Sequence, residues 1–232
     1  FKIINLDKDI TFNPRYYADK SFLLQNEYRQ ALKRSNILSD FSFLIGNAGT
    51  KGHLFYNQSG KFNNNTAFDL NIQDVRGDNY LKIHKLMDKS SLITSDSLLL
   101  SNFDINWNFE DSNLNTSFKV YEDLSRNYHD RYQYIFPDFN FSKKIDVDPS
   151  YNGNFNFLSS GFQKVYETNK YEALLNNDFN FESFDFISTK GLVTDYSLLL
   201  KNYNTYSENS LIYENKNDHE IFGTILLKTE LP

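Results

Sequence analysis

The residue types that carry most enzyme and metal chemistry are sparse in this chain and poorly placed for it. His53, His84, His129 and His219 are widely separated, without metal-ligand spacing. They read as surface or loop histidines. The run Gly46-Asn-Ala-Gly-Thr-Lys-Gly52 has the glycines of a phosphate loop but not its closing Lys-Ser/Thr order, so it reads as a hairpin loop. Arg76-Gly77-Asp78 matches an adhesion tripeptide and reads as the start of a loop before Tyr80. Asp146 and Asp148 lack the spacing of a calcium loop. No serine sits in a nucleophile-elbow context, and the carboxylates are scattered, so no glycosidase pair stands out. With no cysteine there is no disulfide framework, thiol nucleophile or Cys-ligated zinc. The expectation is a protein that is not an enzyme, with no cofactor and no metal.

The composition points to elements with two unlike faces. Of 232 residues, 30 are Asn, 22 Phe and 16 Tyr, with a net charge of −6. The acidic balance (pI about 5.2) argues against a general nucleic-acid binder. Disordered chains are polar as well, but they lack this aromatic content. No more than three apolar residues follow one another, and the mean hydropathy is −0.58, so no helical membrane span is expected. The chain starts at Phe1 rather than Met, which reads as a piece of something longer.

Finely divided apolar residues point to period-2 alternation, because successive strand side chains face opposite ways. Phe68, Leu70 and Ile72 alternate with Asp69, Asn71 and Gln73. Phe103, Ile105, Trp107 and Phe109 alternate with Asp104, Asn106 and Asn108. Similar segments are expected from Asp9 to Tyr17, Phe22 to Leu32, Ile37 to Ile45, His53 to Gln58 and Asn115 to Asp123, and then at Gln133 to Ile145, Asn154 to Glu167, Tyr171 to Ser188, Leu192 to Tyr203 and Ile221 to Leu231. Arg76 to Ser91 breaks the rhythm and reads as a long loop with one or two helical turns, and Asn204 to His219 reads as a long polar loop. Pro137 implies a defect or an edge in its strand.

Ten to twelve consecutive hairpin-linked strands of nine to twelve residues fit an all-β, antiparallel up-and-down transmembrane β-barrel fragment, incomplete in this chain. A soluble β-sandwich that binds or hydrolyses carbohydrate produces the same alternation and stays open, as does another outer-membrane barrel such as a porin or adhesin.

The string Asp9-Ile-Thr-Phe-Asn-Pro14-Arg-Tyr, followed by Leu23-Leu24-Gln25-Asn26-Glu27-Tyr28-Arg29, resembles the start of the barrel in the LPS-assembly protein family LptD (OstA). Lys51-Gly52-His53-Leu54-Phe55, Gly77-Asp78-Asn79-Tyr80-Leu81, Leu92-Ile93-Thr94-Ser95 and the closing Leu226 to Pro232 are similar to later family segments, in the same order. The resemblance implies residues 1–8 as a connector from a periplasmic jelly roll and 9–232 as the N-terminal part of a barrel of roughly two dozen strands. It further implies export of lipopolysaccharide into the outer leaflet of a Gram-negative outer membrane. The implied partners are an LptE-type lipoprotein plug, an LptA-type periplasmic bridge protein and outer-membrane lipid, with no nucleic acid. A lateral gate at the first barrel strand makes Pro14 the gate candidate, since proline donates no N–H to a ladder. From the alternation, Phe68, Leu70, Ile72, Phe103, Ile105, Trp107 and Phe109 are expected to face lipid. Asp69, Asn71, Gln73, Asp104, Asn106 and Asn108 are expected to face the lumen.

Overall fold

The computed structural model describes residues 2–46, 49–210 and 212–231. Asn47 and Ala48, within the expected loop of residues 46–52, lie outside the described residues, as do Phe1, Leu211 and Pro232. The strands are β1 (Lys2–Asn5), β2 (Lys8–Tyr16), β3 (Phe22–Ala31), β4 (Ser35–Gly46), β5 (Gly49–Lys61), β6 (Thr66–Arg76), β7 (Leu98–Asn108), β8 (Ser112–Asp123), β9 (Tyr132–Ile145), β10 (Gly153–Tyr166), β11 (Lys170–Ser183), β12 (Phe186–Ile187), β13 (Val193–Glu208) and β14 (Lys216–Glu230). Among the described residues there is one short α-helix, α1 (Tyr80–Ile83), besides three 3₁₀ turns at Met87–Lys89, Tyr128–Asp130 and Pro149–Tyr151.

All fourteen belong to one antiparallel sheet in which each strand up to β11 lies beside the next in sequence; β13 follows β11, and β12 and β14 both pair with β13. This is the up-and-down order expected from the sequence. The described strands belong to one sheet rather than to the two separate sheets of a sandwich.

Tight turns set the registers. In the β2–β3 turn the Asp19 carboxylate accepts from the Ser21 N–H (2.9 Å) and hydroxyl (2.5 Å), and Lys20 takes a left-handed φ of 68°. The Ser21 bonds hold the Asp19 carboxyl below the usual carboxylate range. Gly46 pairs with Gly49 at the end of the β4–β5 pair, which fixes every pairing behind it.

Several expectations need correction. Among the described residues the strands number fourteen rather than ten to twelve, because residues 2–5 form β1 and 186–187 form β12. The connector expected at 1–8 therefore carries a strand. The expected strand from His53 to Gln58 is thirteen residues long, since Gly49, Gly52 and Gly60 are tolerated inside the ladder. The expected loop from Asn204 to His219 is shorter at both ends, because β13 runs on to Glu208 and β14 starts at Lys216, with Asn204 and Asn217 in strand positions. Polar residues were read as loop there, but cross-strand pairing overrides their weak β-propensity. Pro137 lies inside β9, between β8 and β10, and not at an edge.

The described residues form two compact units. The first runs up to Ile105 and includes Ser117–Tyr134 and Tyr166–Thr168; the second holds Asn106–Thr116, Ile135–Val165 and the chain from Asn169 onward. The first unit has a buried apolar cluster of Leu23, Phe55, Tyr80, Leu81, Leu86, Ile93, Leu99 and Leu124. The second is organised by ring contacts, with Phe155 4.6 Å from Phe181 and 5.3 Å from Phe179 between centroids.

Candidate functional site

Side chains directly opposite in an antiparallel pair share a face, so the registers of β2 to β6 sort the first unit into two surfaces. One row reads Asn13, Gln25, Ser42, His53, Val75, and the next reads Thr11, Glu27, Asp40, Phe55, Gln73. A third reads Asp9, Arg29, Leu38, Asn57, Asn71. The opposite face carries Phe12, Asn26, Phe41, Leu54, Asp74 and Ile10, Tyr28, Ser39, Tyr56, Ile72. One face is therefore mainly polar and the other mainly apolar.

The polar face is covered over part of its area by residues 77–97. Helix α1 brings Tyr80 down onto β4 and β5. Gln25 Nε2 donates to both Asp40 oxygens (3.0 and 3.3 Å), and His53 Nε2 stands 2.9 Å from Asp40 Oδ1. With that nitrogen donating, His53 Nδ1 accepts from the Ser42 hydroxyl at 2.6 Å, and Ser42 accepts from the Tyr80 hydroxyl at 2.7 Å. The donors thus run in one direction, Tyr80 to Ser42 to His53 to Asp40. A second connection runs beside it. Arg15 donates to the His84 carbonyl (2.8 Å) and to Gln25 (3.2 Å), and His84 Nδ1 lies 2.9 Å from the Tyr17 hydroxyl. Burial pushes the Tyr80 hydroxyl above the usual phenol range. Burial, then Arg15 and Lys51, hold His84 below the ordinary imidazole value, while Asp19 opposes them.

An Asp–His–Ser series invites comparison with a hydrolase. The geometry opposes that reading. Ser42 lies in mid-strand rather than on a strained turn, both His53 and Asp40 side chains are sealed from solvent, and Tyr80 occupies the serine oxygen. The series ties a turn to a sheet. It also corrects the reading of His53 as a surface or loop histidine: it is buried within β5.

The residues singled out from sequence fall as follows. Pro14 pairs with Leu24 in β2, the strand flanked on its other side only by short β1. The β1 pairing reaches no further than Ile10, so residues 11–16 have no partner on that side among the described residues. Asp69 is reached by Asn57, Asn71 donates to the Leu100 carbonyl (2.7 Å), and Gln73 bonds the backbone of Leu100 (2.9 Å) and Leu92 (3.4 Å). These three share the polar face with Ser59, Asn57 and Phe55. Asp104 accepts from Asn102 and Ser117, and Asn108 from Asn113, while Asn106 is exposed. Phe68 stacks on Phe62 at 4.4 Å, on the face it shares with Leu70 and Ile72. Trp107 and Phe109 lie 4.5 Å apart; Phe103 and Ile105 are half-buried. The relay of Asp40, Ser42, His53 and Tyr80 was not anticipated.

In the second unit, β11, β13 and β14 align Phe181, Leu198 and Ile225 in one row and Phe179, Leu200 and Gly223 in the next. Further along the same face Asn177 donates to Asn202, and Asn204 bonds His219 (2.8 Å). Strand β14 is exposed except at Asp218, with Ile225 at 78%.

No family model matches this sequence, and no curated protein does. A similar solved structure is described as a "Bacterial polysaccharide outer membrane secretin", at 8% identity and a TM-score of 0.37, covering 97% of this chain and 85% of that one.

Proposed function

We propose that this chain is part of an outer-membrane β-barrel of the LPS-assembly type. In this reading it passes lipopolysaccharide into the outer leaflet and performs no covalent chemistry. The observation that carries the reading is Pro14 within β2, the first long strand, where it pairs with Leu24 and leaves the backbone one donor short. A sheet that must part to release a lipid sideways needs a seam with few ladder bonds, and a proline removes one donor more. Three features support the wider reading. The long strands run nine to sixteen residues, enough to cross a bilayer at a tilt. The sheet keeps unlike faces on β2 to β6. The Asp9 to Arg29 string resembles the family's barrel start.

In this reading the apolar side chains Phe68, Leu70, Ile72, Phe103, Ile105, Trp107 and Phe109 meet acyl chains. Asp69, Asn71, Gln73, Asp104, Asn106 and Asn108 line a hydrated lumen that accommodates sugar and an LptE-type plug. An LptA-type bridge delivers the lipid from the periplasm. The test is depletion of the full-length protein in its host, followed by fractionation and surface labelling of lipopolysaccharide. Loss of surface lipopolysaccharide is expected. Recovery of the protein in the aqueous phase without detergent, or unchanged surface lipopolysaccharide, overturns the proposal.

A further inference from the structure

Residues 77–97 leave β6 at Gly77 and reach β7 at Leu98 without adding a strand to the sheet. Within the segment, the backbone hydrogen bonds of 80–89 are internal: Tyr80 to Gly77, Ile83 to Asn79, His84 to Tyr80, Leu86 to Leu81 and Lys89 to Leu86. Between its ends it is joined to the sheet by side-chain packing and by hydrogen bonds that use a side chain, such as Gln73 to the Leu92 carbonyl (3.4 Å); at the ends Asp78 pairs with Arg131 (3.1 Å) and the Ser97 carbonyl accepts from the Leu124 N–H (2.8 Å). Its underside is of two kinds. Tyr80, Leu81, Leu86 and Ile93 pack with Leu23, Phe55 and Leu99. Beside them, the Tyr80 hydroxyl closes the relay to Asp40, and Arg15 holds the His84 carbonyl.

A permanent seal has little use for such a relay. Apolar side chains of equal volume do as well or better, because desolvation consumes most of what a buried polar pair gains. A surface that is covered at one time and wet at another has a different requirement. Beside the apolar patch of Leu23, Phe55 and Leu99, it needs polar groups that can bond water when uncovered. Arg15, Gln25, Asp40, Ser42 and His53 meet it, and Asn13, Glu27, Asn57 and Asn71 continue the polar face beyond them. The start of the segment is also built to turn, since Gly77 holds a φ of +110° that side-chain-bearing residues rarely adopt.

We propose that residues 77–97 form a lid that lifts as a unit from the polar face of β2 to β6, latched by the Tyr80–Ser42–His53–Asp40 relay and the Arg15–His84 connection. The lid does not depend on the transport proposal, because opening and export are read separately.

Leu81, on the underside of the lid, is fully buried, and Phe181 is buried in the other unit. In the full-length protein in its native membrane, Leu81→Cys is labelled by a water-soluble maleimide, with the unsubstituted protein as blank. Adding Tyr80→Phe, or Ser42→Ala, is expected to speed that labelling about tenfold, the effect of one lost buried hydrogen bond. Labelling of Phe181→Cys should stay slow in the same backgrounds. Equal Leu81→Cys rates with the latch intact or broken overturn the lid. So does an equal acceleration at Phe181→Cys, which reports general loosening. Surface lipopolysaccharide measured on the same cells tests export alone.

Discussion

Ser42 and His53 face each other across the β4–β5 pair, with Oγ 2.6 Å from Nδ1 in a side-chain layer closed to solvent. The bond has a partner on each side, Tyr80 toward the lid and Asp40 within the sheet. Loss of either member therefore strands polar groups rather than merely deleting one contact.

Ser42→Ala is expected to destabilise the protein by about 1–3 kcal/mol, because the Tyr80 hydroxyl and His53 Nδ1 both lose their partner. His53→Ala should cost more, about 3–5 kcal/mol, since it also leaves Asp40 with Gln25 alone. The double variant should fall short of the sum by about 0.5–3 kcal/mol. Urea midpoints of the folded protein in detergent measure all three. Strict additivity means that the groups do not act as a unit.

The lid should weaken in acid through His84. Burial, Arg15 and Lys51 keep its imidazole below the ordinary value, with Asp19 pulling the other way. The folded protein therefore takes up this proton less readily than the unfolded chain, whose histidine titrates near about 6.5. The stability linked to His84 is present above that pH. It is lost as pH falls through the lowered folded value. Tyr80, pushed up by burial, keeps its proton across this window. The thermal midpoint should be lower at pH 5 than at pH 7.5, and His84→Gln should shrink the difference. A pH response of full size in His84→Gln sinks this assignment.

Two glycines should respond oppositely to a methyl group. At Gly77 the backbone holds φ +110° and a Cβ would meet Lys51 Cδ at 3.2 Å. Gly77→Ala should cost about 1–3 kcal/mol in backbone strain. Gly223 in β14 has no atom within 4 Å of a built Cβ and an ordinary strand backbone, so Gly223→Ala should stay within about 0.5 kcal/mol. Paired denaturation curves decide it, and equal costs would refute the strain argument.

Pro14→Ala restores a backbone donor in the strand with the shorter flank. Under the transport proposal it should tighten the seam and slow the appearance of lipopolysaccharide at the cell surface. Pulse-chase labelling of the full-length variant measures this. A wild-type rate means that Pro14 only shapes an edge strand.

Much of the architecture was legible from residues alone. Alternation at Phe68, Leu70, Ile72 and at Phe103 to Phe109 marked strands because the side-chain period of a strand is two, whatever its neighbours do. The break in strand character expected from Arg76 to Ser91 was equally visible in its lost rhythm; β6 ends at Arg76 and α1 lies beyond it. The polar stretch misled at residues 204–208, since Asn204, Ser207 and Glu208 have poor intrinsic strand preference and pairing with β11 and β14 holds them extended.

The relay shows where local reading stops. Asp40 and Ser42 sit two apart on one strand, hence on one face. The register that pairs Gly46 with Gly49 sets His53 opposite Ser42, so three members could have been found from that register. The fourth could not. Tyr80 arrives from 38 residues beyond Ser42, and nothing in the order of residues says where a loop without periodicity will come to rest. Period and turn chemistry act between near neighbours and are written along the chain. Burial of His53, the covering of the polar face and the closing of the relay depend on packing between distant segments, which only the folded molecule decides.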